Sequence, residues 1–83
     1  MDWEVVYSKR AEGFLLRLDS AASKAIFRKI SSSKSNPYHF FMRMVSLPYY
    51  RMRVGDYRVI AEIQDTVRVI AVIKIGHRKK CLR

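Results

Sequence analysis

Three arginines, Arg51, Arg53 and Arg58, fall within the stretch YYRMRVGDYR at residues 49–58. A guanidinium is a permanently charged planar fork of donors, matched to the oxygens of phosphates and carboxylates. Gly55-Asp56 reads as a two-residue hairpin turn between alternating runs, which pairs Val54 with Tyr57 and sets Arg53 directly across from Arg58. Like charges so placed destabilise a sheet, and Arg51, two residues back on the same side, deepens the crowding. An anion relieves that repulsion. The chemistry this pattern suits is phosphate binding and the stabilisation of charge developing on a phosphoryl group.

Strand alternation extends the pattern. Tyr50, Met52, Val54, Tyr57, Val59, Ala61 and Ile63 share an apolar face, while Tyr49, Arg51, Arg53, Arg58, Ile60 and Glu62 share the other. A two-residue loop after this run would bring Arg68 onto the apolar face, a costly place for a charge. A three-residue loop, Gln64 to Thr66, instead pairs Ile63 with Val67 and Glu62 with Arg68. It also aligns Ile60 with Ile70, Arg58 with Val72 and Asp56 with Lys74. The expected basic face is then Arg51, Arg53, Arg58, Arg68 and Lys74 over a floor of Ile60, Ile70 and Val72, with Arg78 joining if the parity continues. Tyr49 offers a ring at its margin for a base to stack on. One such arginine is ordinarily a solvated stem; a set converging on one hairpin is better explained by an anionic ligand.

The elements that position these residues can be read in outline. WEVVY is a β-rich run, a first strand over 2–7. Ser8 caps a helix starting at Lys9, in which Ala11, Phe14, Leu15 and Leu18 recur at helical spacing. Asp19 or Ser20 caps a second, with a stripe of Ala22, Ile26, Phe27 and Ile30, stopped by SSSKSNP. Then come strand-like runs, FFMRMVSL, YYRMRV, YRVIAEI and VRVIAVIKI, separated by Pro48, Gly55-Asp56 and Gln64-Asp65-Thr66. The expected fold is α+β: an N-terminal strand and a helical hairpin packed on one face of a mostly antiparallel sheet. The alternation leaves open whether the first strand joins an edge or the centre.

Eighty-three residues suit one domain, 1–83. Seventeen Lys and Arg against seven Asp and Glu give a net charge of +10, which points to a polyanionic partner, nucleic acid foremost. Much of the charge lies in strand-like sequence, not on an amphipathic helix of the kind that binds membranes. The longest apolar run, VIAVI, is far too short to span a bilayer. No signal-peptide pattern is visible in MDWEVVYSKR, and a single cysteine, Cys81, forms no internal disulfide, so a cytoplasmic protein is expected. With two histidines, His39 and His77, and one cysteine, Cys81, scattered along the chain, neither a metal site nor a cofactor is expected.

The ordered combination YYRMRVGDYRVIAEI, a short turn, and VIAVIKIGHRKKCLR resembles the RelE/ParE toxin superfamily, and the preceding strand, helical hairpin and length agree. The resemblance implies a RelE-like fold and a toxin of a type II toxin–antitoxin pair. RelE-like members are mRNA interferases: endoribonucleases that enter the ribosomal A site and cut messenger RNA there without a metal. The 2′-hydroxyl attacks the adjacent phosphate and leaves a cyclic phosphate. Carried over by motif, the catalytic residues are Arg51, Arg53, Arg58 and the Arg78 of GHR. Tyr49, Arg68, Lys74, His77, Lys79 and Lys80 are candidates for contact with RNA or the ribosome.

The chain departs from the RelE pattern in two places. Arginines occupy the hairpin segment where a lysine serves as general base, and Leu82 stands near the position of a C-terminal tyrosine. Lys74 is the most base-capable side chain of the face, and a solvated lysine closing the strand is its simpler reading. His77 points away from Arg78 by parity, which suits a structural or binding role. A ParE-like inhibitor of DNA gyrase and a toxin without chemistry, confined to binding nucleic acid or antitoxin, therefore stay open. The implied partners are the ribosome with its mRNA and a cognate acidic antitoxin laying a helical segment across the toxin.

Overall fold

The computed structural model describes residues 2–77. Arg78, Lys79, Lys80, Cys81 and Leu82 lie outside the described residues. The elements follow as β1 (Glu4–Tyr7), α1 (Lys9–Arg17), α2 (Ser20–Ser32), α3 (Pro37–Phe40), β2 (Met42–Arg43), β3 (Tyr50–Val54), β4 (Tyr57–Gln64) and β5 (Val69–His77). The five strands form one sheet in the order β1-β5-β4-β3-β2, antiparallel throughout except for β1 against β5. The first strand therefore joins an edge.

Both long helices begin where a side chain accepts an otherwise orphaned N–H. Ser8 Oγ accepts from the Ala11 amide at 3.0 Å, and Asp19 from the Ala22 amide at 2.8 Å. Ser8 does more than cap: its hydroxyl donates to the Ile73 carbonyl at 2.6 Å, tying the entry of α1 to β5. Pro37 does not simply end the helical region. Sitting at the first turn of α3, where its missing N–H has no role, it starts a further short helix. FFMRMVSL is mostly not strand: only Met42 and Arg43 pair, and residues 45–48 form a bend that ends in Pro48.

The core lies between the helices and one sheet face. It contains Ala11, Ile26 and Ile30 from the helices and Met52, Val54, Val59, Ala61, Ile70, Val72 and Ile75 from the sheet, with Trp3 and Phe41. Of the second helical stripe, Phe27 stays 55% exposed, its ring stacked on Tyr7 at 6.2 Å between centroids.

The β4–β5 connection differs from the three-residue loop, and the difference moves side chains between faces. The loop is four residues, Asp65 to Arg68, and Ile63 pairs with Ile70. Arg68 takes φ +58°, a left-handed conformation that costs a non-glycine residue about 1–2 kcal/mol. Among the contacts that hold it there, its carbonyl accepts from the Glu4 amide at 3.0 Å, its amide donates to the Asp65 carbonyl at 3.3 Å, and its guanidinium lies 4.8 Å from the centre of the Trp3 ring. The turn leaves Val67 in solvent, faces Glu62 with Ala71, and sends Ile70 and Val72 into the helix-packed core. Further along, Ile60 pairs with Lys74 but Ala61 with Val72, so Ile73 is an extra, bulged residue. The bulge shifts parity by one and returns Lys74 to the arginine face.

Candidate nucleic-acid interface

The face opposite the helices is organised in two rows across the strands. Arg53, Arg58 and Gly76 form one, with Arg53 directly paired to Arg58 and Arg58 to Gly76. Met42, Arg51, Ile60 and Lys74 form the other. Gly55, at φ +57° and with open space where a Cβ would stand, makes the turn that holds the first row in register. Ile60 is buried yet outside the core cluster, flanked in register by Arg51 and Lys74.

Arg51, Arg53 and Arg58 line a single cleft of about 290 Å³, completed by Lys29, Phe40, Met42 and Met52. Their exposure is graded. Arg53 is exposed, Arg51 half-buried, and Arg58 only 7% exposed. A guanidinium keeps its charge at any physiological pH, so this cleft carries fixed positive charge at three depths. Lys29 was not singled out from the sequence. Its ammonium reaches from α2 across the edge of the sheet and donates to the Arg53 carbonyl at 3.3 Å. The only sequence signal for it is a basic residue in the last turn of a helix, which the helix dipole explains equally well.

The other residues singled out distribute as follows. Lys74 shares the arginine face. Arg68 does not: it sits in the turn over Trp3, and the cross-strand neighbour of Glu62 is Ala71 rather than Arg68, with the Glu62 carboxylate accepting from the Gln64 side-chain amide at 2.8 Å. The floor of the face is Ile60 alone of the three expected residues, because Ile70 and Val72 are core. Tyr49 immediately precedes β3, half-buried, with its carbonyl accepting from the Met44 amide at 2.9 Å. His77 pairs with Tyr57 across the strands, and its imidazole lies on the tyrosine ring at 4.9 Å.

Charge of this kind can bind a bent phosphate backbone and neutralise negative charge as it grows on equatorial phosphoryl oxygens. A separate apolar groove of about 570 Å³ runs on the helical side, lined by Tyr7, Leu15, Leu16 and Phe27, with Glu12, Lys24 and Arg28 among its polar residues.

Comparison with known proteins agrees with this architecture. Residues 5–81 match the family model described as ParE toxin of type II toxin–antitoxin systems, parDE. The toxin–antitoxin complex RelBE2 from Mycobacterium tuberculosis superposes with a TM-score of 0.82 at 18% identity, covering 94% of this chain and 100% of that one. The archaeal RelE–RelB complex from Pyrococcus horikoshii gives a TM-score of 0.81 at 24% identity, covering 98% and 100%. A substituted form of the E. coli toxin RelE in the free state gives 0.81 at 19% identity, covering 98% and 88%. Among curated proteins, none matches the sequence significantly.

Proposed function

The chain belongs to the ParE toxin family of type II toxin–antitoxin systems, and from that premise we propose that it acts as a RelE-like mRNA interferase. Such a toxin is a metal-independent endoribonuclease that cuts messenger RNA in the ribosomal A site. The observation that carries this reading is the cleft in which Arg51, Arg53 and Arg58 converge. A partner that only has to be bound does not require three guanidinium groups at graded depth. A phosphorane, with charge on its equatorial oxygens, does benefit from them.

In the proposed reaction the 2′-oxygen forms a bond to the neighbouring phosphorus and the bond to the 5′-oxygen breaks. The products are a 2′,3′-cyclic phosphate and a 5′-hydroxyl. Arg53 and Arg58 hold the phosphoryl oxygens from adjacent strands, and Arg51 positions the strand beside them. Arg78, which follows Gly76-His77 in the sequence, is proposed as a further donor. Arginine is a poor base, so the proton of the 2′-hydroxyl passes to solvent, and solvent protonates the leaving oxygen. RNA and ribosome place the site of action in the cytoplasm.

The same charge suits a cognate antitoxin. The similar proteins from M. tuberculosis and P. horikoshii were solved as complexes with antitoxins. For this chain an acidic antitoxin segment over the arginine face would neutralise the cleft and exclude RNA from it.

A ParE-like action on DNA gyrase is the second reading, favoured by the family model itself. Two assays on the same purified protein separate them: mapping of 5′ ends on mRNA bound to programmed ribosomes, and supercoiling by gyrase. Cuts in the A-site codon with supercoiling intact support the interferase. Inhibited supercoiling with uncut mRNA supports the gyrase inhibitor and removes the interferase reading.

A further inference from the structure

A second basic niche lies away from the arginine cleft. β1 ends at Tyr7, paired with Val72, and Ser8 closes its edge by donating to the carbonyls of Val72 and Ile73. Beyond that point β5 continues to His77 alongside α1. A depression of about 330 Å³ opens there, lined by Arg10, Phe14 and Arg17 of α1 and by Lys74, Ile75, Gly76 and His77 of β5.

The spacing on α1 makes the niche. Residues 10, 14 and 17 fall on one helical face, so both arginines point to the same strand with an aromatic ring between them. Gly13 leaves room for the Arg17 guanidinium to lie along the helix, 3.7 Å from where a Cβ would stand. Among the described residues, no aspartate or glutamate lines the depression. Its aromatic margin is continuous: Phe14 meets Tyr57 edge-on at 6.1 Å, and Tyr57 carries the exposed His77 imidazole. Three cations with no acidic side chain in the lining, next to an exposed ring, are the elements of a single-stranded nucleic-acid subsite. Lys74 belongs to both places. The β5 bulge aims it to the arginine face, in the row of Arg51, and it also lines this niche.

We infer that Arg10, Arg17 and Lys74 form a second RNA-phosphate site, which holds the strand one or more nucleotides away from the phosphate in the arginine cleft. Lys74 links the two. The site rests on the reading of this chain as an RNA-directed toxin.

The test is the salt dependence of binding to a short fluorescein-labelled single-stranded RNA, followed by anisotropy. Removing one cation that neutralises a phosphate flattens the slope of log K against log salt by about 0.7. Arg10→Ala/Arg17→Ala is therefore expected to flatten it by roughly 1.4, and Arg10→Lys/Arg17→Lys to retain the wild-type slope. Lys24→Ala/Arg28→Ala removes the same charge from α2 and is expected to leave the slope unchanged. Both arginines are exposed, so each variant is expected to fold, which circular dichroism checks. An unchanged slope in Arg10→Ala/Arg17→Ala, with wild type binding normally, overturns the niche alone. So does an equal flattening in the α2 control, which would report net charge and not a site. Wild-type protein that shows no salt-dependent RNA binding likewise overturns the niche, while the interferase reading is decided separately by the cleavage assay on programmed ribosomes.

Discussion

Arg53 and Arg58 face one another as a direct cross-strand pair on the β3–β4 hairpin, one exposed and the other 7% exposed. Two like charges in that position cost the free protein stability. Under the proposed function, an anion bound between them would relieve that cost.

Relief of that repulsion predicts a trade. Arg53→Thr is expected to stabilise the free protein by about 0.2–1 kcal/mol, read as a higher urea midpoint with unchanged slope. It is also expected to reduce cleavage by ~10²-fold or more. Phosphate or sulfate should raise the thermal midpoint of wild type more than that of the variant, since ligand binding to the native state stabilises by mass action. A variant that is less stable than wild type would contradict the repulsion account.

The β5 register makes a prediction that separates the two possible positions of Ile70. It is fully buried among the helix-packed residues, so Ile70→Ala is expected to cost roughly 2–5 kcal/mol. The fluorescence of Trp3, the chain's one tryptophan, follows the unfolding. A loss well under about 1 kcal/mol would place Ile70 on the open arginine face instead.

Much of this fold was legible because local chemistry agreed with it. Ser8 and Asp19 are caps in sequence and in structure, and Gly55-Asp56 specifies the turn that pairs Arg53 with Arg58. The arginine face followed from parity on one well-marked hairpin. The β4–β5 loop did not, because parity presumes an unbroken ladder. A left-handed arginine and a bulge at Ile73 each shift it by one, and neither carries a glycine to mark it. Arg68 is held by Trp3, far away in sequence, and Lys29 reaches the cleft only through the packing of α2 against β3. Such contacts have no local signature.

Trp3 also heads an aromatic chain with a measurable titration. Tyr38 meets Trp3 at 6.0 Å and Tyr50 at 5.7 Å, both edge-on. Its phenol is pushed up to about 12, first by desolvation and then by its hydrogen bond to Asp65 and the charge of that carboxylate. The raised value means that the folded state holds the proton more tightly than the unfolded chain. The resulting stability is fully present below about pH 10 and is lost as pH rises through about 12. Ultraviolet titration of the tyrosines is expected to show a late-ionising group that Tyr38→Phe removes. Asp65→Asn, which keeps an acceptor but loses the charge, is expected to move it to lower pH. A titration unaffected by Tyr38→Phe would contradict the assignment.

The central claim is that the guanidinium groups of the cleft perform the cut. Its most direct test is single-turnover cleavage of mRNA on programmed ribosomes, mapped by primer extension, for wild type and for Arg51→Ala/Arg53→Ala. Neither side chain is part of the core, so the double variant is expected to keep its circular dichroism and Trp3 fluorescence. The account predicts A-site cuts by wild type and a loss of ~10²-fold or more in the variant. Equal cutting by both proteins, or no cutting by folded wild type, would contradict it.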